Sequence, residues 1–199
     1  MKRTALVVLV LAIAGCGGNG GSEAQESDCV TEGEAELQEL EADKTHRLVM
    51  TTNKGAFTIE LDTDSAPCAS ASMVSLARKG YFDGTRFHRI VPGFVIQGGD
   101  PTATGTGGPG YKTVDTPPDD ATYTKGVVAM AKAAQEPAGT AGSQFFVVTA
   151  EDSGLPPEYA VVGTVVDGLD VVEQIGRLGG PDEQPTETVT IESVTVETT

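Results

Sequence analysis

The sequence has 199 residues, of which 29 are acidic and 13 basic, so the formal net charge is −16. Such a charge argues against a partner with a phosphate backbone, and we expect no nucleic-acid binding. The length suits one domain and a leader, with about 150 residues left for a self-sufficient core. Frequent glycine (25) and proline (11) are typical of a loop-rich β protein.

The N-terminus carries the pattern of an export signal. Lys2 and Arg3 precede an apolar run at 5–14, which is too short for a retained membrane span. Small residues stand before Cys16, and the segment resembles a bacterial lipobox, in which the leader is removed and the cysteine is lipidated. We therefore expect residues 1–15 to be a lipoprotein signal peptide and the protein to be extracytoplasmic, held on the bacterial cell membrane by a lipid on Cys16. An ordinary secretory signal with a coincidental cysteine is the alternative.

The segment at 16–45 is predicted to be an acidic flexible tether that follows the lipidated cysteine. Its glycine-rich start at 17–22 is flexible by composition, and the acidic stretch after it has little apolar content. Good helix formers at 34–42 could form a short helix, although an isolated helix of that length is marginal in water.

Cys29 and Cys68 are the only cysteines besides the one in the leader pattern. Outside the cytoplasm two such residues favour a disulfide, which would join the end of the tether to the domain; two free thiols are the alternative. Together with His46 and His88 they offer too few ligands for a metal, and we expect neither a metal site nor a cofactor.

The domain is expected to span residues 46–199, and it begins with a hairpin and a helix. Strands at 47–52 and 56–61 are predicted because apolar and polar side chains alternate in the second of them. Asp64 or its neighbour is a candidate N-cap for a helix that continues until Gly80 stops it.

The run at 87–100 reads as two strands joined at a tight turn. Pro92 presets φ for such a turn, and Gly93 accepts the positive φ that it often requires. Alternate side chains of a strand share a face.

This alternation assigns the side chains of the two strands to opposite faces. In the first strand Phe87 and Arg89 are expected on one face, with His88 on the other as a structural side chain. In the second strand Phe94 is expected to share a face with Ile96 unless a bulge intervenes.

The rest of the chain adds strands and one more helix. Further strands are predicted at 127–131, 144–148, 159–166 and 187–196, the last with a bulge near its middle, and a second helix is predicted at 169–178. The glycine pattern at 105–110 satisfies G-x-G-x-x-G but opens no helix, so a dinucleotide site is excluded. About eight strands and two helices indicate a mainly β domain, either a barrel or a sandwich.

The run at 87–100, FHRIVPGFVIQGGD, resembles the signature of the cyclophilins, a family of peptidyl-prolyl cis-trans isomerases. A second matching run lies downstream, VVAMA at 127–131 and GSQFFVV at 142–148. The resemblance extends over roughly 47–195. It implies a closed eight-stranded antiparallel β-barrel with two capping helices, and an enzyme that accelerates X-Pro isomerisation during the folding of exported proteins without covalent chemistry.

The resemblance also implies a site. The matching catalytic residues are Arg89, Phe94 and Gln97. The matching substrate-binding residues are Met130, Ala131, Lys132, Gln144, Phe146, Leu155 and Tyr159. In the family the arginine donates toward the prolyl nitrogen, and apolar side chains enclose the proline ring.

The implied partners are proline-containing unfolded or exported polypeptides, and the chain is expected to act as a monomer. Many cyclophilins carry a tryptophan just before the position of Leu155, where this chain has Gly154 or Ser153. A second hypothesis therefore stands beside the enzyme, namely a binding module that holds proline segments with negligible turnover. His88 could also suggest the general base of a hydrolase. A hydrolase would need an activated nucleophile, and the sequence contains no G-x-S-x-G nucleophile motif, which argues against this function.

Overall fold

The computed structural model describes residues 29–199, and these contain eleven strands and two helices. The strands are β1 (Val30–Glu32), β2 (His46–Thr52), β3 (Gly55–Leu61), β4 (Arg89–Val91), β5 (Val95–Gly98), β6 (Lys112–Val114), β7 (Val127–Met130), β8 (Thr140–Ala141), β9 (Phe145–Val148), β10 (Val161–Asp167) and β11 (Ile191–Thr198). The helices are α1 (Pro67–Arg78) and α2 (Leu169–Gly176). The predicted signal peptide, Cys16 and the start of the tether lie outside the described residues. Within 29–199 no helix combines the length and the apolar character needed to cross a bilayer.

Eight strands form one antiparallel sheet in the order β11-β2-β3-β10-β7-β9-β5-β4. The sheet is curled but open, so the predicted closed barrel is wrong, whereas the mainly β fold with two helices is confirmed. The edge strands β4 and β11 share no ladder within the described chain. Residues just outside them meet through an isolated bridge between Arg86 and Thr190. Backbone hydrogen bonds flank this bridge, from the Phe87 N–H to the carbonyl oxygen of Val189 (3.0 Å) and from the Ile191 N–H to that of Thr85 (2.9 Å).

The inner core lies between the concave side of this sheet and the two helices. Helix α1 contributes Met73 and Leu76, and α2 contributes Val172 and Ile175, all buried against strand residues such as Ile59. Burial of each such side chain stabilises the fold by about 1.5–3 kcal/mol. The opposite side of the sheet is called the outer face below.

Helix α1 begins differently from the prediction. Its N-cap is Ala66, which makes no side-chain cap, and not Asp64 or the serine after it. Asp115 supplies the missing acceptor, because its carboxylate accepts the N–H groups of Cys68 (3.2 Å) and Ala69 (2.6 Å). A capping group 47 residues away from the helix start leaves no local sequence signal.

The tether prediction does not hold for residues 29–45. Strand β1 pairs with β6 in a small sheet of order β1-β6-β8, and Cys29 forms a disulfide with Cys68 at the start of α1. Farther along, the backbone N–H of Gln38 donates to Ser75 Oγ at 2.7 Å, and Leu40 packs against the inner core. No helix forms at 34–42. This segment is therefore docked on the domain.

The signature hairpin consists of β4, a turn with Gly93 at φ 70°, and β5. Phe87 precedes the regular strand and is buried in the inner core, so its predicted placement on the same face as Arg89 is wrong. Phe94 lies in the turn and packs on the outer face, whereas Ile96 is in the inner core. Strict alternation fails at both places because these residues precede the paired strands.

Candidate active site

The register of the sheet aligns Arg89 with one residue on each of the next three strands. Arg89 of β4 lies opposite Gln97 of β5, which lies opposite Phe146 of β9, which lies opposite Ala129 of β7. Directly opposed residues on neighbouring antiparallel strands have Cβ atoms about 4.5–5.5 Å apart. The outer face therefore carries a guanidinium, an amide and an aromatic ring side by side.

A series of polar contacts crosses this face. Arg89 Nη1 donates to Gln97 Oε1 over a long 3.4 Å, and Gln97 Nε2 donates to Gln144 Oε1 at 3.1 Å. Gln144 Nε2 then donates to the carbonyl oxygen of Gly107 at 2.9 Å. The amides of both glutamines are thereby oriented, and Gln97 presents its oxygen to the arginine.

Beside the arginine lies an outer cluster of apolar side chains. Its buried members are Val95, Tyr123, Ala129, Phe146 and Val148, and those packed around them include Phe94, Leu155 and Tyr159. The rings of Phe146 and Tyr159 meet edge to face with centroids 5.4 Å apart. Three of these side chains remain partly exposed, so the cluster forms an apolar surface next to a cation.

Met130 does not contribute to this surface. On β7 it faces away from its neighbour Ala129, and it is therefore fully buried in the inner core. Its partner on β9 is Phe145. Its predicted place in the wall of a substrate pocket is therefore wrong. Val95 packs in the outer cluster instead, and sequence reasoning missed it although strand alternation puts it on the face of Gln97.

Tyr123 is a second residue that sequence reasoning missed. Its hydroxyl donates to the carbonyl oxygen of Tyr159 at 2.8 Å and accepts the Tyr159 N–H at 2.9 Å. The long loop that carries Tyr123 gave no periodic signal. The double contact holds Tyr159 against Phe146, which keeps the aromatic surface in one arrangement.

A cavity of about 330 Å³ opens next to Gln97. Ala131, Lys132 and Gln144 line it, as does the glycine-rich loop at 105–108. The structure thus brings three of the predicted substrate-binding residues together around one cavity.

Lys132 is held tightly in this wall. Its side chain is only 3% exposed, and its ammonium group lies 3.0 Å from Glu158 Oε2 and 5.6 Å from the centre of the Tyr159 ring. It also donates to the carbonyl oxygen of Glu136 at 3.2 Å. These contacts hold the ammonium group in one place in the wall of the cavity.

Asp100 organises the loop that forms the opposite wall. Its fully buried carboxylate accepts four backbone N–H groups, from Thr102, Thr104, Gly105 and Gly107, and the hydroxyl of Thr102. Burial acts to raise the pKa of Asp100, but the hydrogen bonds outweigh it and hold the pKa far below its usual range. The position of the Gly107 carbonyl, and with it Gln144, depends on this charged group.

Glu183 also reaches the site, and no sequence signal indicated it. Its carboxylate Oε2 accepts a hydrogen bond from Arg89 Nε at 2.7 Å. The residue lies in the loop between α2 and β11, which the sequence places 94 positions away from the arginine.

His88 is buried and lies outside this constellation, in agreement with a structural role. Burial lowers the pKa of His88, against a smaller opposing effect from the Asp100 charge. Within 29–199 no three side chains of the metal-binding types converge on one point.

Taken together, Arg89 and the outer cluster place a fixed hydrogen-bond donor beside an apolar surface. Such an arrangement suits a substrate that is bound through an apolar group and polarised by the donor.

The sequence matches a described protein family over most of its length. A profile of the family "Cyclophilin type peptidyl-prolyl cis-trans isomerase/CLD" matches residues 47–196. A probable peptidyl-prolyl cis-trans isomerase B of Mycobacterium leprae is 41% identical over 165 residues, covering 73% of this chain and 55% of the relative. A peptidyl-prolyl cis-trans isomerase of Helicobacter pylori is 38% identical over 143 residues, covering 70% and 86%.

Solved structures agree with this match. The crystal structure of a Cryptosporidium parvum cyclophilin type peptidyl-prolyl cis-trans isomerase, in the presence of the dipeptide Ala-Pro, gives a TM-score of 0.70 at 31% identity. The alignment covers 76% of this chain and 98% of that one. The chain spans about half the length of the first mycobacterial relatives, 55% of the M. leprae protein and 52% of its M. tuberculosis counterpart.

Proposed function

This chain belongs to the cyclophilin-type peptidyl-prolyl cis-trans isomerase family, and we propose that it accelerates rotation about X-Pro peptide bonds in polypeptides. The observation that carries the proposal is the row formed by Arg89, Gln97 and Phe146, a fixed guanidinium beside an apolar surface. The crystal structure of the Cryptosporidium parvum relative in the presence of Ala-Pro supports a proline-containing substrate.

The chemistry follows from the electronic structure of the amide. Resonance gives the C–N bond partial double-bond character and a rotation barrier of about 18–20 kcal/mol. At the top of the barrier resonance is lost, so the prolyl nitrogen becomes pyramidal and its lone pair can accept a hydrogen bond. A donor aimed at that lone pair binds the transition state better than either ground state, which is the requirement for catalysis.

Arg89 is the proposed donor. Gln97 and Glu183 engage two of its nitrogens, so the guanidinium keeps one orientation when a substrate arrives. A hydrogen bond from a charged group contributes about 1.5–3 kcal/mol, or roughly one to two powers of ten in rate if it forms only in the transition state. No covalent step, metal or cofactor enters this mechanism.

The apolar cluster is proposed to hold the proline ring. Phe94 and Leu155 supply partly exposed apolar surface beside the arginine. Phe146 and Val95 are the buried members of the same cluster. Gripping the ring leaves the carbonyl on the other side of the rotating bond free to turn. Ala131 and Gln144 are proposed to contact the residues before proline, because they line the adjoining cavity.

We further propose that the protein works outside the cytoplasm on exported polypeptides, as a monomer anchored through a lipid on Cys16. The leader pattern at 1–16 supports the anchor, and the Cys29–Cys68 disulfide suits an oxidising compartment. Cys16→Ser should move the full chain from the membrane fraction to the soluble fraction in fractionated cells. Retention of the Cys16→Ser variant on the membrane would argue against lipid anchoring.

The activity is tested with a protein whose slow refolding phase is limited by proline isomerisation. Residues 29–199 at substoichiometric concentration should accelerate that phase, and Arg89→Ala should reduce the acceleration at least about tenfold. Arg47→Ala is the matched control, since Arg47 forms a surface ion pair with Glu60. Equal acceleration by Arg89→Ala would contradict the mechanism. Stoichiometric retention of the unfolded chain without acceleration would favour the binding-module hypothesis.

A further inference from the structure

The contact between Glu183 and Arg89 suggests a role that the family resemblance does not assign. We infer that Glu183 is a positioning residue, which fixes the guanidinium of Arg89 in the orientation needed for prolyl isomerisation. The inference rests on the proposed function and extends it to the loop between α2 and β11. Three observations carry it, namely the side-chain contact, the backbone anchor and the backbone conformation.

The side-chain contact complements the one made by Gln97. Glu183 Oε2 takes the N–H of Arg89 Nε at 2.7 Å, while Gln97 Oε1 takes one from Nη1 at 3.4 Å. Acceptors at two different nitrogens of a planar group fix its plane as well as its position. The shorter bond is the one to Glu183, so the carboxylate is the stronger of the two restraints.

The backbone of the same residue is tied to the strand that carries the arginine. The Ile90 N–H donates to the carbonyl oxygen of Glu183 at 2.8 Å, and the Glu183 N–H donates to the carbonyl oxygen of Gly180 at 3.1 Å. Ile90 directly follows Arg89, so the loop is attached one residue away from the contact it makes. The backbone of Glu183 is therefore held in place while its carboxylate accepts the hydrogen bond from Arg89 Nε.

The conformation of Glu183 is unfavourable for its residue type. Its φ is 64°, and in the described part of the chain only Ala103 shares a positive φ without being glycine. A side chain with a Cβ atom is disfavoured there, and such outliers concentrate at functional sites. Glycine would fit this backbone better. The presence of a glutamate in spite of the strain indicates that its carboxylate has a task.

The contact acts through geometry more than through binding energy. The side chain of Glu183 is 51% exposed and that of Arg89 is 33% exposed, so solvent screens the ion pair. The prolyl nitrogen is pyramidal only in the transition state. The orientation of the guanidinium therefore changes the energy of the transition state and leaves that of the bound substrate nearly unchanged. Loss of the contact should therefore lower kcat and leave KM nearly unchanged.

The experiment compares residues 29–199 of the wild type with Glu183→Gly, Glu183→Gln and Glu187→Gln. Glu183→Gly removes the carboxylate while suiting the positive φ, so the thermal midpoint should stay the same or rise. Its kcat on an Ala-Pro peptide should fall about five- to tenfold with KM within about twofold, and Glu183→Gln, which keeps an acceptor, should recover part of the loss. Glu187→Gln disrupts the ion pair with Lys54 in the same connection and should leave the kinetics unchanged.

A spectroscopic readout separates this inference from the proposed function. In the wild type the Arg89 Nε–H resonance, assigned by its loss in Arg89→Lys, should exchange slowly with solvent, and in Glu183→Gly it should exchange fast. Slow exchange together with a wild-type kcat in Glu183→Gly, or a kcat above that of the wild type, would overturn the inference. If the wild type itself failed to turn over, the proposed function would fall, while the resonance would still show whether Glu183 positions the arginine.

Discussion

Arg89 acts in this account through its shape as much as through its charge. Its planar group meets Gln97 on one side and Glu183 on the other, and still presents N–H groups to a ligand. A lysine ammonium would carry the same charge as a point at the end of a flexible stem. The planar shape of the guanidinium, and not its positive charge alone, therefore distinguishes the proposed catalytic group from an ordinary basic side chain on the surface.

Arg89→Lys should reduce kcat/KM on an X-Pro peptide at least about tenfold, because one ammonium group cannot reproduce the two fixed contacts. The measurement is steady-state isomerisation with the thermal midpoint recorded in parallel. Arg47→Lys is the control, since its contact with Glu60 lies on the sheet surface away from the site. Near wild-type turnover by Arg89→Lys would show that charge alone is sufficient.

Asp100→Asn should destabilise the domain, because one carboxylate serves four backbone donors and a hydroxyl. The pKa of Asp100 is lowered in the folded state, so its stabilisation is fully present above the unfolded value of about 3.9 and decreases as pH falls below it. We expect a loss of about 1–3 kcal/mol at pH 7 that shrinks toward pH 3. Denaturant unfolding at both pH values measures it.

The exposed Asp119, in the loop between β6 and β7, provides a matched control for that series. Asp119→Asn should leave the free energy of unfolding unchanged at either pH. A deficit in Asp100→Asn that stayed constant or grew as pH fell would contradict the assigned role of the charged carboxylate.

At the scale of elements, local signals predicted the hairpins and helices wherever the determining residues are neighbours in sequence. The turn at Gly93 is an example, and so is the bulge of β11, where the register shifts between Ile191 and Ser193. Elements that depend on distant partners were missed. Asp115 caps α1 from another loop, and β1 exists because β6 offers it an edge.

The disulfide between Cys29 and Cys68 should contribute about 2–4 kcal/mol to the free energy of unfolding, because it closes a long loop in the unfolded chain. The Cys29→Ser/Cys68→Ser double variant should show this loss in denaturant titration, with turnover at 25 °C close to that of the wild type. Reducing agent should lower the midpoint of the wild type and leave the double variant unaffected. Equal stability of both proteins would mean that β1 is held by its other contacts alone.

At the scale of the whole molecule, the sequence resemblance predicted the family correctly and the closure of the sheet wrongly. Arg89, Gln97 and Phe146 adjoin one another because strand register carries them there, and register follows from alternating apolar residues. Met130 was predicted to bind substrate although it faces the inner core, and Val95 of the outer cluster was missed, because a motif names residues and does not state which face they occupy. Closure depends on how the edge strands β4 and β11 meet, which no local pattern encodes.

The docked segment at 29–45 also changes the limits of the folded unit. A chain that begins at residue 46 lacks β1, the disulfide and the packing of Leu40 against the inner core. Its thermal midpoint should lie about 5–10 °C below that of residues 29–199. The double serine variant of the longer chain should fall between the two. Identical midpoints would mean that the segment contributes nothing to the stability of the domain.

The central claim, that this site accelerates X-Pro rotation through Arg89, is tested most directly by NMR line shapes of a short Ala-Pro peptide. Catalytic amounts of residues 29–199 should bring the cis and trans resonances into exchange far faster than the uncatalysed time of about tens to hundreds of seconds. Under the same conditions a folded Arg89→Ala protein should leave them sharp and separate. Sharp resonances with the folded wild type, or equal broadening with Arg89→Ala, would contradict the account.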